Sequence, residues 1–283
     1  MSNPESPSLT ERPMPMFIAA GWALGATLAF LLLASLMISI NPASADDVIS
    51  EVACQAGAYL LAIFFILRVH APTADPGAFL AFRHTSLAFY PLAILLGAAF
   101  VLPAAALFNA INHYFPLPMF DDPTIGIFQS ASLPRKLVMV GVACVAGPFL
   151  EELLFRGALF KPLRKSFLGL AVPTIVTTAL LFALVHVKWQ RMVHIGLMGL
   201  GLGLIRKESG SIVPSTLVHV AYNAAVFAAA ILFTVPGNPD VDVPAPLWGV
   251  VASSAVAIGL LGLVHFTGKH SETARRAQEL DKA

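Results

Sequence analysis

The costliest chemistry in this chain is held by one stretch, Gly147-Pro148-Phe149-Leu150-Glu151-Glu152-Leu153-Leu154-Phe155-Arg156-Gly157. It sits inside an apolar run from Leu137 to Phe160, long enough to cross a bilayer. Hydrocarbon offers no water to two carboxylates and a guanidinium, and each charge at a helix centre costs roughly 2.5–3.5 kcal/mol. Three ionisable groups kept at that depth require polar company or a chemical task. Glu152 and Arg156 stand four apart and can pair along one helix face, which leaves Glu151 without an assigned partner.

Two later apolar runs supply candidates for that company. Phe182 and His186 stand four apart in one, and His219 and Asn223 four apart in the next. At a rise of about 1.5 Å per residue, Glu151 lies about 15 Å from the end of its run at Lys161. His186 lies about 20 Å from Pro173, and Asn223 and His219 about 16 and 10 Å from Ile212. Amide hydrolysis needs an activated water and preorganised donors where negative charge develops, and these residue types can provide both. Each also has a plain structural reading. A Glu-Arg pair can clasp spans, His219 and Asn223 can bridge helices by hydrogen bonds, and Phe182 can simply pack. His186, His219 and Glu151 would make a His₂Glu zinc set. No HExxH exists, however, and the ligands would come from three helices, so no metal and no cofactor are expected.

The elements that must carry these residues follow from composition. Only 12% of residues are charged against 57% hydrophobic, and mean hydropathy is +0.79. A soluble globular chain is roughly a quarter charged. The fold class expected is therefore all-α, a polytopic integral membrane helical bundle of about eight transmembrane helices. Neither a basic block nor an aromatic-interleaved basic stripe is present, which argues against a nucleic-acid partner. Cys54 and Cys144 both lie in apolar runs and give neither a disulfide framework nor a CxxC metal spacing.

Residues 1–15 are polar and proline-containing and read as a disordered cytoplasmic N-terminus. Three spans with their connections follow over 16–136. The first, Met16 to Ile40, reads as a retained span; Ala43-Ser44-Ala45 would be the cleavage site if it were instead a secretory signal. Pro91 and Pro103 should kink the third span. The polar connection 110–136 is either a surface lid or a short interfacial element. Spans four to seven occupy 137–233, an outer loop and eighth span 234–269, and a polar cytoplasmic tail 270–283, whose alternating charges suit a solvated helix. Gly199 and Gly203 form a small-xxx-small pair that lets backbones approach closely. With the N-terminus inside, the inner segments hold Arg12, Arg68, Arg83, Lys161, Arg164, Lys165, Arg206, Lys207, Lys269, Arg275, Arg276 and Lys282. The outer segments hold Arg135, Lys136, Lys188 and Arg191. That bias places both termini in the cytoplasm.

The ordered set EExxxR, FxxxH and HxxxN on successive helices resembles the CPBP family. That family includes CAAX-processing endopeptidases of the ER membrane and bacterial bacteriocin-processing or immunity-associated membrane proteases. The resemblance covers about residues 137–233; the other spans match only as hydrophobic segments. It implies a glutamate-type intramembrane endopeptidase acting on a peptide or protein substrate in or at the bilayer, membrane-associated or prenylated. Glu151 would be the general base, holding a water together with His186, and His219 and Asn223 would donate to the oxyanion. Glu152, Arg156 and Phe182 would support them. A bacterial inner membrane is the expected location. A catalytically silent scaffold or immunity protein of the same fold is the alternative. A proton-coupled transporter would call for inverted repeats, and the sequence shows no such symmetry.

Overall fold

The computed structural model of the protein describes residues 11–115, 124–186, 188–233 and 246–281. Most of the expected N-terminal disorder, the centre of the 110–136 connection and the loop 234–245 lie outside the described residues. Among the described residues there is no strand. The long helices are α1 (Met16–Ile40), α2 (Val48–His70), α3 (Phe89–Tyr114), α4 (Leu133–Ser166), α5 (Ala171–Leu184), α6 (Trp189–Ser209), α7 (Ile212–Phe233) and α8 (Leu247–His270), followed by a short α9 (Glu272–Glu279). Among the described residues, six stretches are long and apolar enough to cross a membrane, namely α1 to α4, residues 212–229 of α7, and α8. Helix α5 is apolar but only 14 residues long, and α6 carries Arg191, Arg206, Lys207 and Glu208. Large apolar side chains such as Phe17, Leu32, Leu247 and Ile258 point outward. A soluble protein would bury that surface, whereas lipid solvates it.

Prolines break the helices where backbone donors are lost. In α3 the helix is interrupted at Phe100, between Phe89–Ala99 and Val101–Tyr114. Pro103 has no N–H to give the Ala99 carbonyl. Ser253 of α8 takes that carbonyl instead, its Oγ donating at 2.7 Å. Helix α4 is widened into π geometry twice, over Val142–Ala146 and Leu153–Leu159. Each π stretch contains the carbonyl that a following proline cannot reach, Cys144 for Pro148 and Ala158 for Pro162. The ladder therefore steps back by five, with the Gly147 N–H bonding to the Val142 carbonyl. Glu151 and Glu152 lie between the two widened stretches.

Residues 11–14 and the segment 272–281 are both stitched to one end of the bundle. Met14 N–H donates to the Pro162 carbonyl at 2.9 Å and Arg12 N–H to the His70 carbonyl at 2.7 Å. Glu11 pairs with Lys161 at 2.7 Å and Lys165 at 3.0 Å. Residues 11–15 are thus held in place. The tail helix α9, whose charges suit a solvated helix, instead buries Ala274 and Ala277. Just beyond it, fully buried Asp281 receives both Nη atoms of Arg206, at 2.6 and 3.0 Å, and Arg83 at 3.2 Å.

Candidate active site

Helix α4 supplies the carboxylates and the guanidinium. Glu152 and Arg156 are fully buried and paired at 2.9 Å, as their spacing predicts. The second arm of Arg156 donates to the Gly199 carbonyl of α6 at 3.0 Å. A Cβ at Gly199 would lie 3.1 Å from the Ala179 Cα and 3.4 Å from Arg156 Nη2. The absence of that atom allows α5, α6 and the guanidinium to meet. Arg156 also sits 4.6 Å from the Phe182 ring centroid, a cation–π contact in a desolvated place. Backbone and ring contacts thus add to the pair, as buried charges require.

Glu151 faces elsewhere. Its Oε1 accepts from Gln55 Nε2 of α2 at 3.0 Å. Its Oε2 lies 3.7 Å from His219 Nε2, too far for a direct hydrogen bond and near enough for a shared third oxygen. The Glu151 side chain is 16% exposed, while that of Glu152 is 0%. Only the first carboxylate of the pair has access to a reactant.

His219 joins the two carboxylates. Its Nδ1 approaches Glu152 Oε1 at 3.3 Å, so the carboxylate holds the proton on Nδ1 and turns Nε2 toward Glu151. His186 lies just after α5, with Nδ1 2.7 Å from the Phe182 carbonyl. A carbonyl only accepts, so Nδ1 carries the proton there too and Nε2 of a neutral ring is an acceptor. The ring of Phe182 is the common wall, meeting His186 at 4.9 Å, His219 at 5.5 Å and Phe155 at 5.4 Å between centroids. Phe182 therefore packs, as its plain reading holds, and what it packs are the histidines.

Asn223 is half-buried one turn beyond His219 and donates from Nδ2 to the Ala143 carbonyl at 3.3 Å. Ala143 is within the first π stretch, so the widened helix and the asparagine are physically linked. The second π stretch is treated alike, because Arg206 Nε donates to the Arg156 carbonyl at 2.9 Å. Glu151, Glu152, Arg156, Phe182 and His219 are thus brought together. His186 adjoins the group through Phe182, and Asn223 adjoins it through α4. Among the described residues, no three of His, Cys, Asp and Glu converge as metal ligands.

Gln55 was not among the residues singled out from sequence. The signal existed, since it is an uncharged polar side chain in the apolar run beginning at Val52, with Tyr59 one turn on. Searching that run for ionisable groups passes over it.

The class of protein follows from these observations. It is an integral, multi-pass helical membrane protein with two carboxylates, a guanidinium and a histidine clustered inside the bundle. Residues 133–225 match the family described as Type II CAAX prenyl endopeptidase Rce1-like. This segment, about a third of the chain, contains Glu151, His186, His219 and Asn223, and the match is consistent with the CPBP/CAAX protease family. No curated protein and no solved structure matches the chain.

Proposed function

We propose that the protein is a glutamate-type intramembrane endopeptidase that cleaves a hydrophobic, membrane-associated peptide, with a prenylated CAAX sequence as the first substrate to test. One observation carries the reading. Of two adjacent carboxylates in the family-matched helix, Glu152 is buried and committed to Arg156, whereas Glu151 is partly open with its two oxygens facing different partners.

In this reading Glu151 takes a proton from a water as the water oxygen attacks the scissile carbonyl carbon. His186, with its acceptor nitrogen, helps hold that water. The tetrahedral oxyanion is held by Asn223 Nδ2 and by His219 in its doubly protonated form, with Glu152 the counter-charge at Nδ1. Collapse breaks the C–N bond, the proton on Glu151 passes to the leaving amine, and a new carboxyl terminus remains. Both termini are proposed to be cytoplasmic, in a bacterial inner membrane. The excess of Lys and Arg in the segments that share a side with the termini supports that orientation.

The test is cleavage of a farnesylated, internally quenched CAAX peptide by purified protein in detergent. Wild type should cleave it, and Glu151→Gln should fold and fail to cleave. Turnover by Glu151→Gln at the wild-type rate would refute the base assignment. A folded wild type that turns over neither the farnesylated peptide nor its unprenylated counterpart would favour a partner-binding role.

A further inference from the structure

We infer that Gln55 is a positioning residue for this reaction, its amide holding the Glu151 carboxylate in one orientation with Oε2 free for the water. The inference rests on the proposed role of Glu151 as base. A glutamate on a helix has three rotatable side-chain bonds, and a base that wanders among rotamers loses the near-attack geometry that makes proton transfer effective. The 3.0 Å bond from Gln55 Nε2 occupies Oε1. His219 Nε2 lies on the Oε2 side. The two oxygens are thereby made inequivalent, and the free one points into the space between Glu151 and His219.

The amide is itself held. Tyr59, one turn along α2 and buried, meets both Gln55 and Thr27 with its hydroxyl. Thr27 is anchored in turn on the Ala23 carbonyl of α1 at 2.9 Å. A polar chain, Thr27–Tyr59–Gln55–Glu151, therefore runs from α1 across α2 to α4. Every link is neutral until the carboxylate is reached. This suits the task, because a lysine or arginine at position 55 would form an ion pair with Glu151 and compete with the water's proton. A neutral amide orients the carboxylate without neutralising it. Helix α2 lies outside the family-matched segment 133–225, so the base is positioned by an element from elsewhere in the chain.

The experiment compares Gln55→Leu, Tyr59→Phe and the double variant in the farnesylated-peptide assay, with Glu151→Gln alongside. A hydrogen bond to a charged group is worth enough that Gln55→Leu should lower kcat about 10- to 150-fold. KM should stay near the wild-type value and the melting temperature should not fall. Tyr59→Phe should lower kcat by less, and adding it to Gln55→Leu should change nothing more, because Tyr59 acts only through Gln55. A merely structural role predicts losses in melting temperature and additive effects. Should Gln55→Leu not fold, Tyr59→Phe alone must still lower kcat at unchanged KM. Wild-type kcat in both single variants, or full additivity in the double, overturns the inference. If Glu151→Gln is inactive while Gln55→Leu is normal, only the positioning role falls. If Glu151→Gln cleaves normally, the base assignment falls and takes this inference with it.

Discussion

Replacing Arg156 by alanine tests the division of labour between the two adjacent glutamates. Arg156 and Glu152 are each 0% exposed and paired at 2.9 Å. Truncating the cation leaves Glu152 as an unpaired buried charge, and such losses cost about 3–5 kcal/mol. The further bond to the Gly199 carbonyl adds little, because that carbonyl lies within the continuous helix α6 and keeps a helical partner. At about 1.36 kcal/mol per tenfold, the folding equilibrium should fall by a factor on the order of 100 to 5,000. For a chain of this size the melting temperature should drop by about 6–20 °C. Unfolding in detergent can be followed through the intrinsic fluorescence of the three tryptophans. Adding Glu152→Gln to Arg156→Ala should restore part of the lost stability, because no charge is then stranded. Arg156→Ala at the wild-type melting temperature but without cleavage would refute the clasp and move Arg156 into the chemistry. Failure of Glu152→Gln to restore stability would show that the cost lies in packing against Phe182.

Three further outcomes are expected. Asn223→Ala should retain residual activity about 100- to 1,000-fold below wild type, as loss of one oxyanion donor does, and a wild-type kcat would remove it from the oxyanion site. Asp281→Ala strands the fully buried Arg206 and should release α9, seen as faster proteolysis of the tail in intact protein; unchanged proteolysis would refute the tether. Burial pushes the Glu11 carboxyl up, but its bonds to Lys161 and Lys165 outweigh this and hold it below its ordinary value of 4.5. The stability it adds is therefore present above that value and lost as pH falls through the lower folded one. Glu11→Gln should lower the folding stability slightly at pH 7, by about 1 kcal/mol or less, and match wild type in strong acid; a difference unaffected by pH would refute the ion pairs.

Much of this protein was legible in the chain because a bilayer imposes simple rules. Composition dictated an all-helical membrane bundle, since only helices satisfy their own backbone in hydrocarbon over so many apolar runs. The four-residue spacings of Glu152 with Arg156 and His219 with Asn223 put each pair on one helix face before any coordinates. Pro91 and Pro103 were legible as breaks in the third span, and Pro103 adjoins the interruption at Phe100, whereas the effect of Pro148 and Pro162 on α4 emerged only with the structure. Only the tertiary structure decided which side chains reach these irregular stretches: Ser253 on the Ala99 carbonyl, Asn223 on Ala143 and Arg206 on Arg156. It also decided which histidine contacts Glu151, and that the partner at Oε1 is Gln55. The docked tail was hidden for the same reason, because alternating charge describes a helix face without naming the buried arginines awaiting it. Periodicity fixes what shares a face within one helix, whereas contacts between helices depend on rotation and depth, which no single run encodes.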